Sequence, residues 1–310
     1  MNNKKIAFLF SGQGSQYVGM GKKLYNKYDF AKRVFNNAND ILDFNIKEIC
    51  FNDENKIINQ TKYTQPAIFI YSYILDFLLK ENGYNPIAAA GHSLGEITAL
   101  VSSNVIEYDK ALLFIKKRSQ SMYESGLKNP GKMVAIFTEN EEFLKETITN
   151  IDGTIVIANF NSLNQFVISG EKNTIDSFLS KISDLKKKIK IKAIPLSVSG
   201  GFHSPLMKKT RKNLEKFLNS IKFYDSKIPI YQNFHPKQNF NANEIKFNLI
   251  NQIDNAVRWA EIIMNMKNDN ILNYIEVGPK NILTNLNKKN FPNSNSLNVE
   301  SMDIFNKYND

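Results

Sequence analysis

Five consecutive apolar residues, Ile6-Ala7-Phe8-Leu9-Phe10, run into the polar glycine loop Ser11-Gly12-Gln13-Gly14-Ser15-Gln16. A run of that length ending in such a loop predicts a strand buried on both faces, as in a parallel sheet, with a functional loop after it. Helical periodicity dominates residues 17 to 51 and returns over 64 to 79, where Ile68, Tyr71, Leu75, Leu78 and Leu79 share one face and Asn82-Gly83 stops the helix. Residues 86 to 90 predict a short small-residue strand, 94 to 101 a helix, and 109 to 123 another with Leu112, Leu113, Ile115 and Met122 as apolar positions. Strand, helices, strand, helix is the order of an open α/β sheet.

After Asn129-Pro130-Gly131 the pattern changes. Strands are predicted over 133 to 137, 155 to 158, 165 to 169 and 189 to 196, with helices over 141 to 149 and 175 to 185. That β-α-β-β-α-β order is ferredoxin-like and places a small domain at 131–196 inside a larger one made of 1–130 and 197–310. The larger one resumes with a helix after Ser204-Pro205, a strand over 228 to 234, helices over 244 to 253 and 257 to 266, and a strand over 274 to 277.

At 310 residues, with 42% hydrophobic and 12% aromatic content, the chain has enough apolar material for a large core. No apolar run reaches the roughly 18 to 20 residues of a bilayer span. The first strand begins so close to Met1 that no targeting segment precedes it, so a cytoplasmic protein is expected. Cys50 is the only cysteine, which excludes an intramolecular disulfide and a cysteine metal cluster and leaves a buried thiol as the default. The net charge of +10 comes with basic clusters at 116–118, 186–188 and 208–212. These read as solvated helix faces or as a surface for an acidic partner. Zinc-finger spacing, an aromatic RNA-binding signature and a basic zipper are all missing, so no nucleic-acid partner is expected.

The chemistry concentrates at Gly91-His92-Ser93-Leu94-Gly95, a G-x-S-x-G pattern that places a serine on a sharp strand-to-helix turn as a candidate nucleophile. A serine needs a base, and the chain has three histidines, His92, His203 and His235. His92 adjoins the serine, so its ring should point away into packing or loop support. His235 lies in an ordinary loop context. His203, in the glycine-flexible Ser199-Gly200-Gly201-Phe202-His203-Ser204-Pro205 returning to the larger domain, is by elimination the leading base, with a structural histidine as the alternative. Oxyanion donors are expected from the Leu94 N–H at the helix start and the Gln13 N–H in the first glycine loop. That loop lacks both the third glycine of a dinucleotide fingerprint and a P-loop ending. Arg118 interrupts the apolar stripe of its helix and either reaches solvent from the edge or faces a cavity beside Ser93, where it would suit a carboxylate.

Eight blocks of the chain resemble the malonyl-CoA:acyl carrier protein transacylase family, in order and spread over about residues 6 to 285. They are Phe10 to Gln16, Thr64-Gln65-Pro66-Ala67, Gly91 to Glu96, Lys117-Arg118, Asn159 to Ser162, Val198 to Met207, Val257-Arg258-Trp259 and Glu276 to Pro279. The resemblance implies an α/β-hydrolase-like large domain with a mainly parallel sheet and an inserted ferredoxin-like small domain. It also implies that Ser93 takes the malonyl group from malonyl-CoA as an ester, with His203 as general base and then acid, before transfer to the phosphopantetheine thiol of an acidic acyl carrier protein. In that pattern the backbone carbonyl of Gln252 orients the histidine, Arg118 pairs with the malonyl carboxylate, and Gln13 and Leu94 supply the oxyanion N–H groups. Phe202 resembles malonyl-selective members. No metal or cofactor is implied beyond the two substrates, and a monomer serving fatty acid synthesis is the expectation.

Two departures are visible. Ser162-Leu163-Asn164-Gln165 stands where the family usually has Ser-Pro-Gly-Gln, so Asn164 must make that turn, and Ser11 replaces a common proline. Three rivals remain. A serine hydrolase would want a carboxylate on its histidine and no Arg118. A carrier-binding module without activity would tolerate loss of Ser93 or His203, and a transacylase of other acyl preference would lack the arginine.

Overall fold

The structure, a computed structural model, describes residues 5–185 and 190–302. Strand β1 (Ile6–Phe10) forms where the apolar run predicts it, with its last four residues buried. Successive side chains go to opposite faces. Phe8 and Phe10 join the larger core, while Ala7 and Leu9 join a second one around Trp259 and Ile262. The periodic stretch after it is divided into α1 (Lys22–Lys27), α2 (Asp29–Leu42) and α3 (Ile46–Phe51). The breaks come where the backbone leaves the helical region: Gly19 and Gly21 at φ 98° and 82°, Asp43 at φ 61°, and extended Tyr28. Helix α4 (Thr61–Glu81) starts before its predicted position and carries Pro66 inside it. The ring removes the N–H that Lys62 would have received, and the Lys62 carbonyl accepts Ser119 Oγ at 3.3 Å.

Strand β2 (Ala88–Gly91), α5 (Leu94–Ser102) and α6 (Tyr108–Lys128) follow. The next unit contains β3 (Gly131–Thr138), α7 (Glu141–Thr149), β4 (Ile155–Ser162), β5 (Gln165–Glu171), α8 (Lys172–Leu185) and β6 (Ile191–Pro195). Its antiparallel sheet has the order β4-β5-β3-β6, the ferredoxin-like arrangement. The predicted beginning of the last strand at 189 and the basic cluster 186–188 lie outside the described residues. The β4–β5 turn does not use a left-handed residue: Asn164 is absent from the positive-φ positions, and its side-chain oxygen accepts Ser162 Oγ at 3.0 Å.

The chain returns through α9 (Lys208–Asn219), β7 (Ile230–Tyr231), β8 (Gln238–Asn239), α10 (Ala242–Asn251) and α11 (Trp259–Asn268), then β9 (Asn273–Val277), α12 (Ile282–Asn290) and β10 (Asn295–Asn298). The larger sheet runs β10-β9-β1-β2-β7-β8, parallel except for β8. The strand predicted over 228 to 234 shrinks to two residues because Gln232 and Asn233 leave the ladder to bond Glu96. The predicted helix from 257 begins at Trp259. Val257 instead exchanges backbone bonds with β4, through Val257 N–H to Ala158 and Phe160 N–H to Val257, which ties the returning chain to the smaller sheet. Strand β10 was not anticipated. Its buried positions are Ser296 and Asn298, while Leu297 is exposed, the reverse of an apolar-in alternation. No described helix is long and apolar enough to cross a membrane.

Candidate functional site

Ser93 sits between β2 and α5 with φ 52° and ψ −101°, a backbone that a non-glycine residue adopts only when its surroundings compel it. The flanking glycines allow the approach. A Cβ on Gly91 would lie 2.0 Å from the Gly95 carbonyl carbon, and one on Gly95 would lie 2.0 Å from the Phe10 carbonyl oxygen. Asn233 then holds the turn, accepting the Ser93 N–H at 2.6 Å and donating to the Gly91 carbonyl at 2.7 Å. Asn233 is itself placed by buried Glu96, which accepts its backbone N–H at 2.7 Å and Gln232 Nε2 at 3.1 Å.

The loop before α9 brings His203 to the serine, with Ser93 Oγ and His203 Nε2 2.7 Å apart. The other ring nitrogen, Nδ1, faces two carbonyl oxygens, those of Gln252 at 2.9 Å and Asn255 at 3.2 Å. Carbonyls only accept, so Nδ1 carries the proton and Nε2 is left to receive the serine hydroxyl. Burial, and after it the charge of Arg118, pushes the His203 pKa down to about 3, against the pull of the two carbonyls. The ring is therefore neutral at physiological pH and available as a base.

Arg118 turns inward from α6 and is 1% exposed. Its Nη1 donates to Gln65 Oε1 at 2.7 Å, and its Nη2 to Ser93 Oγ at 3.0 Å and Gln252 Oε1 at 3.1 Å. Its Nε is buried without a partner. Burial lowers its pKa to about 10, opposed by the Glu96 carboxylate, so it remains cationic. Gln252 acts twice, since its side chain also donates to the Ser93 carbonyl at 3.0 Å while its own carbonyl holds the histidine. Gln13, Leu94 and Phe202 line the same cavity of about 90 Å³ as Ser93, Arg118 and His203. Gln13 is steadied by a 3.2 Å bond from its side chain to Thr61, and Leu94 is the first residue of α5.

Against known families, the chain matches the acyl transferase domain over residues 7–308. A malonyl CoA-acyl carrier protein transacylase of Bacillus subtilis is 36% identical over 290 residues, 92% of this chain and 90% of the relative. The Synechocystis transacylase of the same name is 34% identical over 302 residues, 97% of this chain and 99% of the relative. The chain belongs to the malonyl-CoA:acyl carrier protein transacylase family. It is an acyltransferase. The crystal structure of the Synechocystis transacylase superposes with a TM-score of 0.89 over 97% of this chain and 99% of that chain. A solved malonyl-transacylase in complex with its type II PKS acyl-carrier protein is 29% identical with a TM-score of 0.91, covering 97% of this chain and 98% of that one.

The site thus gathers all six residues singled out in the sequence, and it settles the position of Arg118, which its spacing left open between solvent and cavity. Neither of the other two histidines bonds Ser93 Oγ, although His92 lines the same cavity. His235 is exposed, and His92 bonds Asn161 of β4 at 2.9 Å and packs against Trp259. Pattern reading gave no role to Gln65, Glu96, Gln232 or Asn233, or to the side chain of Gln252. The available signal was polar residues at helix positions that are otherwise apolar, as with Gln65 three residues before Ile68. Ser11, where a proline is common, donates to buried Glu276 at 3.0 Å. Among the described residues no cluster of three or more His, Cys, Asp or Glu could hold a metal ion.

Proposed function

We propose that the chain moves a malonyl group from malonyl-CoA to the phosphopantetheine thiol of an acyl carrier protein through a malonyl ester on Ser93. The observation that carries this is the convergence on one hydroxyl of a neutral His203 at 2.7 Å and a cationic Arg118 at 3.0 Å, in a small cavity of about 90 Å³. His203 Nε2 takes the Ser93 proton as Oγ attacks the thioester carbonyl. The Gln13 and Leu94 N–H groups receive the oxyanion. Collapse breaks the carbon–sulfur bond, and the departing coenzyme A sulfur takes the proton from His203. The carrier thiol reverses each step: it gives its proton to His203, attacks the ester, and returns the Ser93 hydroxyl.

Arg118 binds the malonyl carboxylate, with its unpartnered Nε adding to the case for a second planar ligand. A carboxylate there also offsets the cation that depresses His203, so the acyl group that binds best makes its own base stronger. Gln252 orients the histidine through its carbonyl in place of a triad carboxylate. This division assigns the nucleophile and clamp to a larger domain, 1–130 and 197–310, and one cavity wall to a smaller one, 131–196. The reaction needs no cofactor beyond its two substrates. The enzyme works as a cytoplasmic monomer, with its excess of 10 positive charges suiting an acidic carrier protein, and supplies extender units for fatty acid synthesis.

Intact-protein mass spectrometry after brief exposure to malonyl-CoA or acetyl-CoA tests the reading on wild type, Ser93→Ala and Arg118→Ala. A malonyl adduct is expected on wild type, none on Ser93→Ala, and in Arg118→Ala a malonyl-over-acetyl preference reduced by about 10²- to 10³·⁵-fold, the loss of a buried charge pair of about 3 to 5 kcal/mol. Acetyl loading of the wild type as fast as malonyl loading would refute the clamp.

A further inference from the structure

The loop that carries Gln13 is fastened from the far end of the chain. Tyr17 Oη donates to Glu300 Oε1 at 2.7 Å, and Tyr71 of α4 donates to the same oxygen at 2.6 Å. The second carboxylate oxygen accepts the Lys280 N–H at 3.0 Å, and the Lys280 ammonium donates to the Gln16 carbonyl at 3.1 Å. Glu300 lies in the 3-10 turn Val299–Ser301 after β10, its own N–H bonded to Asn298 at 2.8 Å. One carboxylate therefore ties the first glycine loop, α4 and the β9–α12 connection together with charge-assisted bonds. Inside the loop, Gln16 Oε1 accepts the Gly14 N–H at 2.8 Å, and Ser15 Oγ donates to the Gly12 carbonyl at 2.8 Å, so both peptides flanking Gln13 are held.

We infer that Glu300 and Tyr17 are positioning residues for the Gln13 N–H, a role that rests on the acyl-transfer reading above. The loop needs an external tether because Gly14, Gly19 and Gly21 stand at φ 104°, 98° and 82°, backbone that glycine enters and leaves freely. An oxyanion donor acts only if it is fixed where the charge develops, and a displacement of about 1 Å is enough to cost about 10²-fold. The tether runs from Glu300 through Tyr17 to Gln16 and Gly14, and touches neither Ser93, His203 nor Arg118.

The test is steady-state malonyl transfer with thermal unfolding followed in parallel. Tyr17→Phe and Glu300→Ala are expected to lower kcat by about 10-fold with KM for malonyl-CoA unchanged, short of the full displacement cost because Thr61 and Lys280 still hold the loop. Glu300→Gln, whose amide oxygen still accepts both tyrosine hydroxyls, is expected to keep most of kcat. The double variant Tyr17→Phe/Glu300→Ala is expected to match Glu300→Ala alone, since both act through one contact. Wild-type kcat in both single variants overturns the inference, as does a loss confined to KM or one no larger than the unfolded fraction. Should Glu300→Ala fail to fold, Tyr17→Phe decides alone, because it removes one hydroxyl and leaves the other two bonds to the carboxylate. Failure of the wild type itself to take a malonyl adduct would instead overturn the acyl-transfer reading.

Discussion

The antiparallel unit at 131–195 and the turn at Ser93 solve opposite problems. The first packs a continuous apolar core of Val134, Ile136, Leu144, Ile155, Phe166, Ile168, Ile175, Phe178, Ile182 and Ile191. Around Ser93 the buried side chains include Glu96, Arg118, Gln232, Asn233, Gln252 and His203, and both Ser93 and His203 have positive φ, 52° and 54°. In the first region local preference, pattern and packing agree, which is the condition for stability. In the second, burial of charge and strained backbone work against stability and persist because the polar atoms, Arg118 Nε excepted, are met by partners brought from other elements. On the proposed function, the unit's residues act on folding and the turn's residues on chemistry, and substitutions can separate the two.

The largest separation is expected from His203→Ala, which removes the proposed base. Single-turnover malonyl loading should fall by about 10² to 10⁴-fold, while the unfolding midpoint stays near that of the wild type because no apolar core is opened. Phe178→Ala should do the reverse, costing about 3 to 5 kcal/mol in urea unfolding with the loading rate per folded molecule unchanged. A matching drop in that rate would break the comparison.

The pH dependence sharpens it. The His203 pKa is lowered from 6.5 to about 3 in the folded protein, so between those values the unfolded chain binds a proton that the native one refuses. The stability linked to this group is complete above pH 6.5 and declines as pH falls toward 3. Correspondingly, kcat/KM for loading should show no inflection at 6.5. An acid limb centred there would mean that His203 titrates as a solvated imidazole. The smallest effect is expected from Asn164→Gly in the β4–β5 turn. Since Asn164 is outside the positive-φ positions, unfolding should change by less than about 0.5 kcal/mol.

Much of this was legible along the chain. The apolar run at β1, the glycine-flanked serine and the β-α-β-β-α-β alternation are local signals, and they name the elements within a few residues of where they form. The misses share one cause, a long-range contact overriding the local pattern. Gln232 and Asn233 leave their strand for Glu96, β10 buries Ser296 and Asn298, and Val257 abandons a helix for β4.

The sequence by itself determined the fold class and the glycine-flanked turn at Ser93 and, by elimination among three histidines, pointed to His203 as its partner. The tertiary structure alone decided that Arg118 faces inward, that Gln252 serves both the histidine and the serine, and that Glu300 reaches the Gln13 loop through Tyr17. Those contacts join residues 25, 159 and 283 positions apart. Periodicity reports which face of an element is buried. It carries no information about which distant side chain will meet it there.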